Sequence, residues 1–171
     1  GSLGGMIAAI QIKPELVYSV VSPSSVAAME SMYEPSRNDR LGREREADSD
    51  VLMFGHYIEN NTSIGFQCFA SGILYGVGSI FFLLFNGLYI GAIAGHLTQI
   101  GYIDTFWGFV AGHSAFELTA IVLSGAAGFL LSKALIMPGR KSRALALRDE
   151  SRHAILIVYG AMTLFIMAAF I

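Results

Sequence analysis

The sequence predicts an all-α protein, a polytopic transmembrane helical bundle with interfacial or amphipathic helices. Three observations lead there. The composition is 54% hydrophobic and only 14% charged, against about 25% charged residues in ordinary soluble domains. The charges are also segregated: no Asp, Glu, Lys or Arg lies between Glu59 and Asp104, Glu117 stands alone between Asp104 and Lys133, and none follows Arg152. Finally, the intervening apolar runs are long enough to cross hydrocarbon, which takes about 20 helical residues at roughly 1.5 Å rise each.

The same numbers exclude other classes. A formal net charge of −2 argues against nucleic acid as a partner, because such binders show a basic stripe. The single cysteine, Cys68, rules out an intramolecular disulfide and a cysteine metal cluster, and reads as a small apolar filler.

Taken in order, residues 1–12 are expected to be the last turns of a transmembrane helix, stopped at Lys13-Pro14 because proline disfavours helix on both sides of that bond. Residues 13–50 are soluble in character. Within them Ser22-Pro23-Ser24-Ser25 is a good helix start, with hydroxyl caps and proline in the first turn. Met29, Met32 and Tyr33 at helical spacing predict a short amphipathic helix on the membrane surface or on a partner, ended by Pro35. The stretch from Arg37 to Asp50 alternates in sign, as a solvated linker or a docking site for a soluble partner would.

Residues 51–70 place Phe54, Tyr57, Ile58, Asn61 and Ile64 at helical spacing among polar groups. That is too polar for a lipid-facing span, so an interfacial or re-entrant helix is expected. Residues 71–171 form the transmembrane core, with spans at about 72–99, 106–137 and 154–171. Gly101 to Thr105 is a short turn, which makes its flanking helices antiparallel neighbours, and Tyr102 and Trp107 beside it match an interfacial aromatic belt. The basic residues Lys133, Arg140, Lys141, Arg143, Arg148 and Arg152 place 138–153 on the cytoplasmic side.

Two features carry possible chemistry. Gly87, Gly91 and Gly95 form a GxxxGxxxG ladder that lets another helix approach closely, and Gly125 and Gly128 form a second small-residue patch. His113 and Glu117 sit one helical turn apart inside a span, where ionisable groups are costly and turn toward protein or water. They are expected to face the glycine ladder, with Asn86 as a third polar group. Three readings compete for this set: a structural clamp between helices, a proton- or ion-handling site, and a metal or hydrolytic site. The last needs more ligands than one His and one Glu supply. No catalytic or cofactor motif is present, so neither enzymatic activity, metal nor cofactor is expected.

Read together, FNGLYIGAIAGHL at 85–97 and GHSAFELTAIVLSGAAG at 112–128 resemble the stage II sporulation protein M family of integral membrane proteins. The polar Asn60-Asn61 helix, the glycine-rich span, the His/Glu span and the PGR at Pro138–Arg140 follow in the order the family has. The likeness covers roughly residues 51–171. Ser114 departs from the pattern, since glycine often stands just after that histidine. The resemblance implies a membrane fold with motif positions Asn86, Gly87, Gly91, His113 and Glu117. Its sporulation member is a membrane-embedded scaffold for cell-wall hydrolases, and no substrate carries over.

The expected function is therefore a non-enzymatic scaffold or subunit in the bacterial cytoplasmic membrane. Its expected partners are the lipid bilayer and either further copies of itself or other envelope proteins. The alternative is a proton- or ion-coupled transporter or channel using His113, Glu117 and Asn86.

Overall fold

A computed structural model describes residues 1–35 and 61–170, without the side chains at 109, 111–114 and 169. The described residues are helical, with no strand among them. The described residues include the α-helices α1 (Ser2–Ile12), α2 (Pro23–Tyr33), α3 (61–70), α4 (Val77–Gln99), α5 (Ile103–Ile136) and α6 (Arg143–Ala169). Among the described residues, three stretches are long and apolar enough to cross a membrane: Val77–Gln99, Ala115–Ile136 and Arg143–Ala168. The charged stretch from Arg37 to Asp50 and residues 51–60 lie outside the described residues.

The chain divides into two compact units, Gly1–Asp50 with Leu84–Ala111 and Val51–Leu83 with Gly112–Ile171. The first is built on the glycine-rich half of α4. α1 stops at Ile12 before Lys13-Pro14, and the chain continues as a single 3₁₀ helix over Pro14–Ser19. Ser22 then caps α2, its hydroxyl accepting the Ser25 amide at 3.2 Å, which satisfies one of the free N–H groups of a helix start. Met6 and Ile10 of α1, Val17, Val21, Val26 of α2 and Ala92 of α4 pack into one core.

α2 turns Val26, Met29, Glu30 and Tyr33 inward at i, i+3, i+4 and i+7, while Met32 stays exposed. The inward stripe is thus centred on Val26 and Glu30, beside the Met29–Met32–Tyr33 face the spacing predicts. The Tyr33 ring meets Phe106 edge-on, with ring centroids 5.2 Å apart.

α4 and α5 join at the predicted tight turn. Gly101 has φ +89, and the Tyr102 amide reaches back to the Leu97 carbonyl at 2.9 Å, a Schellman closure that requires a left-handed residue.

In the second unit, α4 starts at Val77, five residues later than the apolar run alone predicts. A 3₁₀ turn over Ser71–Ile73 follows α3, and Tyr75 (φ 53) and Gly76 (φ +79) then reverse the chain. Two successive left-handed residues cannot continue an α-helix. α6 starts earlier than the apolar run predicts. Ser142 caps it by accepting the Leu145 amide at 3.3 Å, so most of the basic stretch is helical. Cys68, Ala120, Ile121, Ala161 and Phe165 form one core of this unit, and Ala127, Leu131 and Ala154 another.

Candidate functional site

The intramembrane acid has a definite partner. Glu117 lies in α5 within the Ala115–Ile136 span, and the side-chain amide of Asn61, in α3, donates to its Oε1. Both side chains are half-buried. An acid in hydrocarbon needs such a donor, because a polar group there has no water to turn to. The amide serves either protonation state, since the carbonyl oxygen of a neutral carboxyl accepts as well as a carboxylate does.

Below this bond α3 and α5 stay close through small residues. Asn61, Gly65, Cys68 and Gly72 recur at i, i+4, i+7 and i+11, and Glu117, Ala120, Ser124 and Gly128 recur at i, i+3, i+7 and i+11. These are the periods that stack residues on one helix face. A Cβ on Gly65 would lie 3.0 Å from Ser124 Oγ and 2.7 Å from the Phe165 ring. A Cβ on Gly72 would strike the backbone of Gly128, and one on Gly128 would come within 2.8 Å of the Cys68 carbonyl. The order 61 to 117, 65 to 124, 72 to 128 means that the two segments run in the same direction. α3 therefore lies beside a span, at membrane depth.

The end of α3 is closed from α4. Ser79 Oγ, fully buried, donates to the Cys68 carbonyl at 2.6 Å, covering one of the carbonyls that every helix C-terminus leaves open. Gly125 faces the Leu83 side chain, where a Cβ would lie 2.7 Å from Cδ1. Leu83 is flexible at its tip, so this contact is softer than the one at Gly72.

The glycine ladder of α4 faces α1, which corrects the expectation that the His113–Glu117 helix packs there. A Cβ on Gly91 would lie 2.5 Å from the Leu3 carbonyl oxygen and 3.0 Å from Met6 Cβ. One on Gly95 would lie 3.1 Å from Ile10 Cβ, and one on Gly87 would run into the Ser2 side chain. The physical reason is that a small-residue ladder offers close approach to any helix with a matching groove, and α1 occupies it. Gln11 secures this contact by donating to the Gly95 carbonyl at 2.8 Å.

Past the ladder, the unit is tied by polar groups. His96 Nε2 and Glu30 Oε1 are 2.6 Å apart, Thr105 Oγ1 donates to the Tyr33 carbonyl at 2.7 Å, and Trp107 Nε1 donates to Thr98 Oγ1 at 2.9 Å. These bonds hold α2, α4 and the start of α5 together. Asn86 is half-buried within this unit, on α4. His113 belongs to α5 by its backbone, and its side chain lies outside the described residues. Among the described residues, no group of three or more His, Cys, Asp or Glu is placed to hold a metal ion.

The sequence reading singled out Glu117 and the glycines but not Asn61 as the acid's partner, nor Gly72 and Gly65. The available signal was Asn61 itself, a polar residue sharing a helical spacing with Phe54, Tyr57, Ile58 and Ile64 in the sequence. For Gly72 it was a run of glycines too dense for the start of an ordinary span.

Helices of this length and apolarity, with a half-buried acid tied to a neighbouring helix along a seam of small residues, define an α-helical integral membrane protein. The pattern of the stage II sporulation protein M family matches residues 3–171, and the chain belongs to that family. The match takes in the amino-terminal segment as well as the region where the motifs lie. An uncharacterized protein of Methanocaldococcus jannaschii is 24% identical over 121 residues, 69% of this chain and 67% of its own length. No solved structure matches the chain.

Proposed function

We propose that this protein is a non-enzymatic scaffold subunit, multi-pass in the cytoplasmic membrane of a bacterial cell. It assembles with itself or with other envelope proteins in a complex that remodels the cell envelope. The observation that carries this reading is the Asn61–Glu117 bond. Glu117, inside the Ala115–Ile136 span, is engaged by a side chain from another helix, at the head of a seam that continues to Gly128. An acid so held orders helices. The scaffold role that the family resemblance implies points the same way.

The test is extraction from native membranes in mild detergent, followed by crosslinking and sizing. A scaffold is recovered in a complex well above the 18.4 kDa of one chain, and Gly72→Leu, which forces α3 off α5, lowers its yield. A chain that remains monomeric under these conditions contradicts the proposal.

Transport is the second reading. Glu117 is an ionisable side chain within a span and is half-buried, and such groups also mark ion and proton pathways. Under this reading Glu117→Gln abolishes pH-dependent flux in liposomes while the fold stays intact.

A further inference from the structure

The basic end of the α5–α6 hairpin has more cations than its acids engage. Lys133, Arg140, Lys141, Arg143, Arg148 and Arg152 are accompanied there by only Asp149 and Glu150. Both acids are committed: Lys141 Nζ donates to Asp149 Oδ2 at 2.8 Å, and Lys133 Nζ lies 3.5 Å from Glu150 Oε1. The Asp149 carboxylate holds the exposed Lys141 ammonium above its usual pKa, so this pair stays ionised across the physiological range. Arg148 and Arg152 are both exposed; they act on Asp149 through their charge, and no salt bridge within 4.0 Å engages either among the described residues.

These two arginines are placed where a lipid would meet them. The inner face of α6 carries Ala146, Ala154, Ala161, Phe165 and Ala168, all buried. The opposite stripe reads Leu145, Arg148, Arg152, Leu156 and Tyr159, at i, i+3, i+7, i+11 and i+14. Leu156 and Tyr159 are 68% and 64% exposed, inside the apolar part of the helix. Cationic heads one turn apart thus stand directly over an apolar track on one outward face. That sequence of surfaces complements an amphiphile with a negative head.

We infer that Arg148 and Arg152 form a headgroup site for an anionic phospholipid of the adjacent leaflet, with its acyl chains lying along Leu156 and Tyr159. Planar guanidinium groups match a phosphate by paired hydrogen bonds. Each cation near an anionic membrane surface strengthens binding about fivefold, so the pair supplies roughly thirtyfold.

The experiment uses the full chain in detergent, titrated with phosphatidylglycerol or phosphatidylcholine and read by native mass spectrometry and thermal stability. The wild type binds phosphatidylglycerol about thirtyfold more tightly than phosphatidylcholine. Arg148→Ala/Arg152→Ala removes that preference while leaving stability in phosphatidylcholine unchanged. Arg148→Lys/Arg152→Lys keeps part of the preference, because charge remains and the paired geometry is lost. In the wild type the preference falls steeply with added sodium chloride, a readout that needs no variant. Equal binding of both lipids overturns the inference, as does a preference that survives the double alanine variant. Competition by soluble glycerol phosphate at the same concentration also overturns it, since the site would then take a free phosphate rather than a lipid.

Discussion

Removing the Asn61 amide tests whether Glu117 holds helices together. Asn61→Ala deletes the donor to Glu117 Oε1 and so removes one polar contact between α3 and α5. Interhelical hydrogen bonds in membranes average about 0.6 kcal/mol and reach about 1.7. Asn61→Ala is therefore expected to destabilise by about 0.6–1.7 kcal/mol. Glu117→Gln keeps an acceptor oxygen at the same place, so its loss stays below about 1 kcal/mol. Glu117→Ala removes the acceptor and exceeds it. Combining Asn61→Ala with Glu117→Ala isolates the pair. The predicted coupling is about 1 kcal/mol, above the roughly 0.3–0.5 kcal/mol scatter of independent sites. The assay is reversible unfolding in mixed detergent micelles, followed by tryptophan fluorescence or circular dichroism. Additivity within about 0.3 kcal/mol refutes the clamp, because the two side chains would then contribute independently.

Glycine substitutions grade the helix contacts. Gly72→Ala places a methyl against the Gly128 backbone, which cannot swing aside, and is expected to lose about 1–3 kcal/mol. Gly108→Ala meets open space in the second turn of α5 and gains about 0.5–1 kcal/mol from helix propensity; equal effects at the two sites contradict the α3–α5 seam. Along the ladder, Gly91→Ala meets the Leu3 carbonyl oxygen at 2.5 Å, whereas Gly95→Ala has 3.1 Å or more and Gly87→Ala meets the mobile end of Ser2. Thermal stability in detergent should fall furthest for Gly91, and a uniform response argues against α1 as the partner.

Much of this architecture was legible because it depends on local chemistry. The caps at Ser22 and Ser142, the stop at Lys13-Pro14 and the Gly101 turn are set by a few neighbouring residues. The three apolar runs follow from length and composition alone. Boundaries failed where tertiary contact decided them. The apolar run from Gly72 reads as continuous helix, yet Gly72 is drawn against Gly128 and the chain reverses through Tyr75 and Gly76. The site was half legible for the same reason. A glycine ladder announces that some helix can come close, without naming it. Likewise Glu117 announces a need for a polar partner, and Asn61, more than fifty residues earlier, has no spacing rule that links it to the acid.

The most direct test of the central claim, that Glu117 orders helices, is proton flux in sealed liposomes carrying a pH gradient. Wild-type and Glu117→Gln protein are compared at equal amounts of folded, reconstituted chain. Flux at the level of protein-free vesicles is expected for both. Flux in the wild type that Glu117→Gln abolishes, with thermal stability unchanged, contradicts it and assigns the acid to transport.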